Sequence, residues 1–222
     1  MKRYPLQMIT LYGIPGTATT APHIVLEEIG VDYEFVLVER DDDGVPTAPA
    51  RYLDLSPFGK VPALKHGDLM LTEAAACCLH LADSFPEAGL IPPVGSAERA
   101  TTMRWLMLLT NTVQAAYLRY FYTGRHTTDP AGVPGVKAAA VRDLTELRDY
   151  IGGLLQPGPF LLGDRFTIAD VYLMMLTSWS TDMDPAAYWL TDPAIKRHYA
   201  AVLARPAALR AMQDEGGTVT TD

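Results

Sequence analysis

The strongest constraint on the fold lies near the start of the chain. Gln7–Tyr12 (QMITLY) is a short run rich in apolar and β-branched residues that stops at Gly13, the pattern of a buried strand. The turn-rich GIPGTATT follows. Ala21–Ile29 then reads as a helix. Pro22 sits in its first turn, where a missing N–H costs nothing, Ile24, Val25, Leu26 and Ile29 supply an apolar face, and Gly30 suits its end. Tyr33–Val38 (YEFVLV) reads as a second strand. Strand, helix and strand in about 32 residues form a βαβ unit, which requires a parallel pair with a right-handed crossover.

The next segments extend that unit. Arg40–Pro57 is rich in Asp and Pro and reads as loop with one irregular helix. Val61–Lys65 and Asp68–Leu71 read as a hairpin around His66–Gly67. Thr72–Ser84 reads as a helix with Thr72 at its cap. The order β-α-β, loop, β-β-α is a compact thioredoxin-like layout. Pro86–Ser96 (PEAGLIPPVGS) is a connector, so residues 1–85 are expected to form an α/β domain and residues 95–222 a second, all-α domain. In the second, Ala97–Tyr122, Val136–Leu155 and Thr167–Trp179 carry helical spacing, and shorter helices are expected over Pro193–Leu203 and Pro206–Met212. The loops Thr123–Pro134 and Gln156–Pro159 carry Gly and Pro, and Gly216–Asp222 reads as a loose tail.

Composition excludes several classes. Hydrophobic residues make up 49% and charged residues 20% of the 222, which is the composition of a folded globular chain. A net charge of −8 without a basic tract argues against nucleic acid as a partner. No apolar run is long enough to span a membrane, and the N-terminus lacks the apolar stretch of a secretory signal. The two cysteines, Cys77 and Cys78, are adjacent, which disfavours a bridge and fits a reducing, cytoplasmic setting. On a helix they are expected to be core or interface thiols.

Three segments now meet in order. They are Phe58-Gly59-Lys60-Val61-Pro62-Ala63-Leu64, Leu71-Thr72-Glu73-Ala74-Ala75-Ala76 continuing to Asp83, and Phe160-Leu161-Leu162-Gly163-Asp164-Arg165-Phe166-Thr167-Ile168-Ala169-Asp170. Together they resemble the soluble glutathione transferases over nearly the whole chain. The opening Leu11-Tyr12 … Pro15-Gly16 … Ala21-Pro22-His23 resembles most the bacterial beta class. The resemblance implies glutathione as co-substrate, no metal, a small apolar electrophile as the second substrate, and a homodimer.

It also implies roles for particular residues. Val61–Pro62 is expected to be a cis bond that turns the Val61 backbone toward an extended peptide, as an added strand would lie; a structural turn before an edge strand is the alternative. Lys60, Val61, Pro62, Glu73 and Ala74 would then hold glutathione, with Glu73 meeting the γ-glutamyl ammonium and the helix N–H groups meeting its carboxylate. The family usually has Ser where Ala74 stands, so weakened binding is expected. Thr167 and Asp170 read as a capping box whose role is folding.

The family stabilises the glutathione thiolate with a donor just after the first strand, because a free thiol near pKa 8.5 is mostly protonated at neutral pH. The beta class uses Cys there, and the position in register is Ala18. Thr19 is the favoured hydroxyl donor, Thr17 the second, and Tyr12 the alternative; Tyr12 read alone is core. The class His and Lys of the first long helix fall at Gln114 and Ala115 in approximate register, and Gln114 can hydrogen-bond but is no general base. Tyr117, Tyr120, Phe121 and Trp179 are candidates for an apolar second-substrate pocket, half of them core by default. Conjugation is the expected reaction; isomerisation, dehalogenation, peroxide reduction, or a non-catalytic binding role supported by Ala18 and Ala74, are the alternatives.

Overall fold

The computed structural model describes residues 8–155, 158–181 and 183–216. Gln7 of the expected first strand, residues 156–157 of one expected loop and residues 217–222 of the expected tail lie outside that set. The described residues form two compact units. One runs to Ile91 and resumes at Leu203; the other is Pro92–Val202.

The first unit is built on a four-stranded sheet in the order β2-β1-β5-β6. β1 (Ile9–Gly13) pairs parallel with β2 (Tyr33–Leu37), and α1 (Thr20–Ile29) makes the crossover, as the sequence requires. Gly30 ends α1 at φ 74°, where its N–H donates to the Leu26 carbonyl. The polar stretch that follows holds more structure than expected: a small ladder of β3 (Glu39–Arg40) and β4 (Pro46–Ala48), then the short α2 (Tyr52–Leu55). β5 (Ala63–His66) and β6 (Leu69–Thr72) form the hairpin, and β5 pairs antiparallel with β1.

Two expectations shift here. The hairpin is displaced toward the C-terminus, because Pro62 has no N–H for the ladder and pairing starts at Ala63. The Gly67–Asp68 pair makes the turn, with Gly67 at φ 60°. Thr72 does not cap the next helix; it is the last β6 residue, paired with Ala63. The chain turns at Glu73 (φ 68°, ψ 109°), and α3 runs Ala74–Ser84. α1 and α3 bury Ile24, Val25, Leu26, Cys77, Cys78 and Leu81 completely. α9 (Pro206–Asp214) also belongs to this unit and lies along α1, where Ala207, Ala208, Ala211 and Met212 are buried. Arg205 grips Glu28 through two hydrogen bonds of 2.5 and 2.7 Å, and Arg210 Nε meets Glu27 Oε2 at 2.6 Å.

The second unit is helical. The expected long helix over Ala97–Tyr122 is not continuous: α4 (Ala97–Leu108) passes through a π-helical segment, Leu109–Gln114, into α5 (Ala115–Phe121). Short 3₁₀ turns precede α6 (Val133–Leu154). α7 (Ile168–Ser178) is buried on every side from Ile168 to Thr177, the sign of a central helix. α8 (Pro193–Leu203) ends the unit. The expected capping box is present: Thr167 Oγ1 accepts from the Ala169 N–H, and the Thr167 N–H donates to Asp170 Oδ2 at 2.8 Å. Among the described residues no helix is long and apolar enough to cross a membrane.

Candidate functional site

Strand register alone gathers the candidate residues of the first unit. Tyr12 pairs with Ala63, and Ala63 with Thr72. The end of β1, the start of β5 and the end of β6 therefore share one end of the sheet. That places the Ile14–Thr19 loop, Val61 and Pro62, and Glu73 with Ala74 beside one another. Val61–Pro62 is a cis peptide. Among the described residues the Val61 N–H and C=O have no hydrogen-bond partner, so they form an open backbone edge. Lys60 is fixed differently: its carbonyl accepts from Tyr52 Oη (2.7 Å) and Ser56 Oγ (2.8 Å). Tyr12, Ile14 and Val61 all pack on the cluster of Val38, Tyr52 and Ala63.

Glu73 is exposed at the entry to α3, while Ala74 is buried. The Glu73 carbonyl closes the first turn of the helix by accepting from the Cys77 N–H at 3.0 Å. The side chain makes no cap to the helix, so the first-turn N–H groups stay open to an anion. Deeper in α3, burial pushes the Cys77 thiol up to about 12 and the Cys78 thiol well above its ordinary value. Both are core thiols.

The hydroxyls of the β1–α1 loop are committed to the loop itself. Thr17 Oγ1 donates to the Ile14 carbonyl at 2.6 Å. Thr19 Oγ1 accepts from the Ile14 N–H at 3.2 Å and lies 3.0 Å from Thr17 Oγ1. With the Thr17 proton on Ile14, the Thr19 proton points to Thr17. Thr19 is fully buried, whereas Thr17 and Ala18 are half-buried. The loop is close-packed, because a Cβ on Gly13 would stand 2.0 Å from Thr19 Cγ2. Among the described residues the Ala18 N–H has no acceptor. Tyr12 stands half-buried, with its ring centroid 6.2 Å from that of Tyr52.

Glu215 is a residue that sequence reading missed. It follows α9, next to a tail read as loose, yet its side chain is only 2% exposed. It accepts from the Gly16 N–H at 2.9 Å, from Thr20 Oγ1 at 2.7 Å and from His23 Nδ1 at 2.9 Å. Nothing local in the sequence signals a contact across 199 positions. Nearby, His23, Glu27 and Asp214 bring ligand-type atoms within 4.8 Å of one another. The two Glu27 oxygens are held by Tyr33 Oη and Arg210 Nε, so the cluster is an ion-paired one.

The remaining candidates belong to the second unit. Gln114 Oε1, at the end of the π-helical segment, accepts from Tyr172 Oη at 2.5 Å. Tyr117 is fully buried, stacked on Phe121 (6.2 Å) and edge-on to Trp179 (5.8 Å); burial pushes its phenol far up. It is core. Tyr120 is half-buried, and its hydroxyl accepts from the Asp184 N–H at 3.1 Å. Phe121 is 44% exposed and Trp179 half-buried, so these two offer the accessible apolar surface. Arg119 is paired with Asp143 at 3.0 Å, and Arg125 lies over the Tyr122 ring.

An α/β unit with an open backbone edge beside an acidic helix entry, followed by a helical unit capped by Thr167–Asp170, is the plan of a thioredoxin-like domain joined to an all-helical one. Comparison with known proteins agrees. The glutathione S-transferase N-terminal domain matches residues 7–83, and the C-terminal domain matches residues 130–201. Glutathione S-transferase GstA of Escherichia coli O157:H7 is 33% identical over 178 residues, covering 77% of this chain and 81% of that protein. A crystal structure of a glutathione transferase homologue from Sulfitobacter, with bound glutathione, superposes with a TM-score of 0.82 at 29% identity, covering 96% of this chain and all of that one. The bacterial beta class glutathione S-transferase of Sphingomonas chungbukensis superposes with a TM-score of 0.77 at 28% identity, covering 94% of this chain and 100% of that one. The chain belongs to the glutathione S-transferase family of enzymes.

Proposed function

We propose that this enzyme conjugates the glutathione thiolate to apolar electrophiles. Glutathione lies extended along Val61 and accepts and donates there like an added strand. Its γ-glutamyl carboxylate sits on the N–H groups of Ala74 and its neighbours, and its ammonium meets Glu73. Lys60 and Pro62 shape the groove around it. The observation that carries this reading is the strand register, which sets the open Val61 edge, the α3 entry and the β1–α1 loop side by side.

The thiolate then faces the β1–α1 loop. Thr17 is the more accessible hydroxyl, and its proton would exchange the Ile14 carbonyl for sulfur. Thr19 supports it from below, and the Ala18 N–H near the start of α1 adds a second donor. Tyr12, on the same cluster as Val61, is the alternative donor. In the helical unit Phe121 and Trp179, with Tyr120, favour an apolar second substrate. Tyr117 backs those side chains from the core.

Glutathione affinity chromatography followed by turnover of a chloronitroaromatic compound tests the proposal. Retention with turnover supports it; failure to be retained refutes it. Retention without turnover favours a second reading, a different glutathione-dependent reaction or a binding role. That reading draws on Ala18, Ala74 and the internally bonded Thr17 and Thr19 protons. Comparing Thr17→Val, Thr19→Val and Tyr12→Phe by the pKa of the bound thiol identifies the donor. A homodimer in a reducing, cytoplasmic setting belongs to the same proposal, and a mass near twice 24.3 kDa in light scattering is the expected result.

A further inference from the structure

We propose that Glu215 is a positioning residue that holds the β1–α1 loop in its working conformation, so that the last described turn of the chain tunes the proposed thiolate site. The inference rests on the glutathione reading above for its catalytic part, and on geometry alone for its anchoring part. The Glu215 carboxylate is buried and takes three donors from both ends of the segment that carries Thr17 and Ala18. Gly16, at its entry, stands in the left-handed region at φ 70° and donates to Oε2 at 2.9 Å. Thr20, the first residue of α1, donates to the same oxygen at 2.7 Å. His23, one turn on, reaches Oε1 at 2.9 Å, and because a carboxylate only accepts, its Nδ1 carries the proton.

One buried oxygen thus pins the entry of the loop to the helix start. Residues 17–19 have their ends fixed, and their inner hydroxyls are fixed by Ile14. A donor aimed at sulfur gains from such preorganisation, because no reorientation is needed when charge forms. The groove proposed for the peptide is lined by Val61 and Glu73, neither of which is a partner of Glu215. Loss of Glu215 therefore loosens the thiol site and leaves peptide binding nearly intact. The titratable groups around the anchor are His23, Glu27 and Asp214, with Arg210 on Glu27.

The test compares wild type with Glu215→Ala and the conservative Glu215→Gln in the full chain. Amide hydrogen exchange over residues 16–19 needs no glutathione, and it should rise at least about tenfold in Glu215→Ala with less change in Glu215→Gln. With glutathione bound, ultraviolet titration of the thiolate should show its pKa raised by about one unit in Glu215→Ala. The rate at a pH below that pKa should then fall about tenfold, while the KM for glutathione stays within about twofold. Glu215→Gln should recover most of the rate. Unchanged exchange overturns the anchor. Loosened exchange with an unmoved thiol pKa, or a loss confined to KM, overturns the positioning role. Wild type that binds no glutathione defeats the glutathione reading instead, and the exchange arm still decides the anchor.

Discussion

Asp170 should be the most damaging single site in the helical unit. Its carboxylate is fully buried and takes four donors: the Leu161 N–H at 2.7 Å and His198 Nε2 at 3.1 Å on one oxygen, the Thr167 N–H at 2.8 Å and the Thr167 hydroxyl at 3.0 Å on the other. Asp170→Ala strands these donors in a dry interior, at about 1–3 kcal/mol for each that finds no other partner. The Thr167 hydroxyl can turn elsewhere and the losses within one network do not add, so the expected cost is about 4 kcal/mol, in the range for breaking a buried charged pair. Thr167→Ala leaves Asp170 three of its donors and removes only the cap on Ala169, for about 1 kcal/mol. The double variant should cost little more than Asp170→Ala alone. All three tryptophans, Trp105, Trp179 and Trp189, lie in this unit, so urea unfolding followed by tryptophan emission reads it directly. A chain of this size should also lose about 8–16 °C in melting midpoint. An Asp170→Ala cost below about 1 kcal/mol, or strict additivity with Thr167→Ala, would refute the account of a buried hub.

Other outcomes follow from the same geometry. Gly13→Ala puts a methyl into Thr19 and should disorder the loop, lowering turnover more than thermal stability, as paired kinetics and melting would reveal. Glu73→Gln removes the counter-charge for the proposed ammonium and should raise the KM for glutathione about tenfold, the size of one lost charged hydrogen bond. Both thiols should ignore an aromatic disulfide reagent in the native protein and react once it is unfolded in urea; native-state labelling would contradict the burial of Cys77 and Cys78. Burial and the neighbouring His66, 3.0 Å away, hold the His80 imidazole below its ordinary 6.5, against the opposing pull of Asp83. The unfolded chain therefore takes up the proton first, so stability present above about pH 6.5 should fall as the pH drops through the folded value. His80→Leu should flatten that acid limb, and an unchanged limb would exclude His80 as its source.

The parts of the fold written in local patterns were legible from sequence. The β1-α1-β2 unit followed from residue periodicity with Pro22 and Gly30 at the helix ends, and the Thr167 cap from its spacing to Asp170. The cis bond at Pro62 followed from the family motif. What depended on tertiary pairing was not legible. Thr72 looks like a cap, but ladder pairing with Ala63 takes it, and Glu73 makes the turn instead. The helix through Leu109–Gln114 has no Pro or Gly to announce a break, yet it widens to a π segment whose last residue, Gln114, meets Tyr172 on α7. Thr17 and Thr19 could be identified as hydroxyls near the site. Their hydrogen bonds to Ile14 could not, because those depend on how tightly the loop closes over Gly13. The placement of α9 was equally hidden, since a short amphipathic helix does not name the surface it will cover.

That placement has a consequence for biogenesis. The α/β unit combines residues translated before the helical unit with residues translated after it. Until α9 emerges, the flank of α1 meant for Ala207, Ala208 and Ala211 is bare, and Glu28 lacks Arg205. Domains made early in synthesis usually fold before the rest of the chain exists. Here the helical unit, though its translation starts second, has its whole sequence available first, and the α/β unit is completed only once α9 has been made.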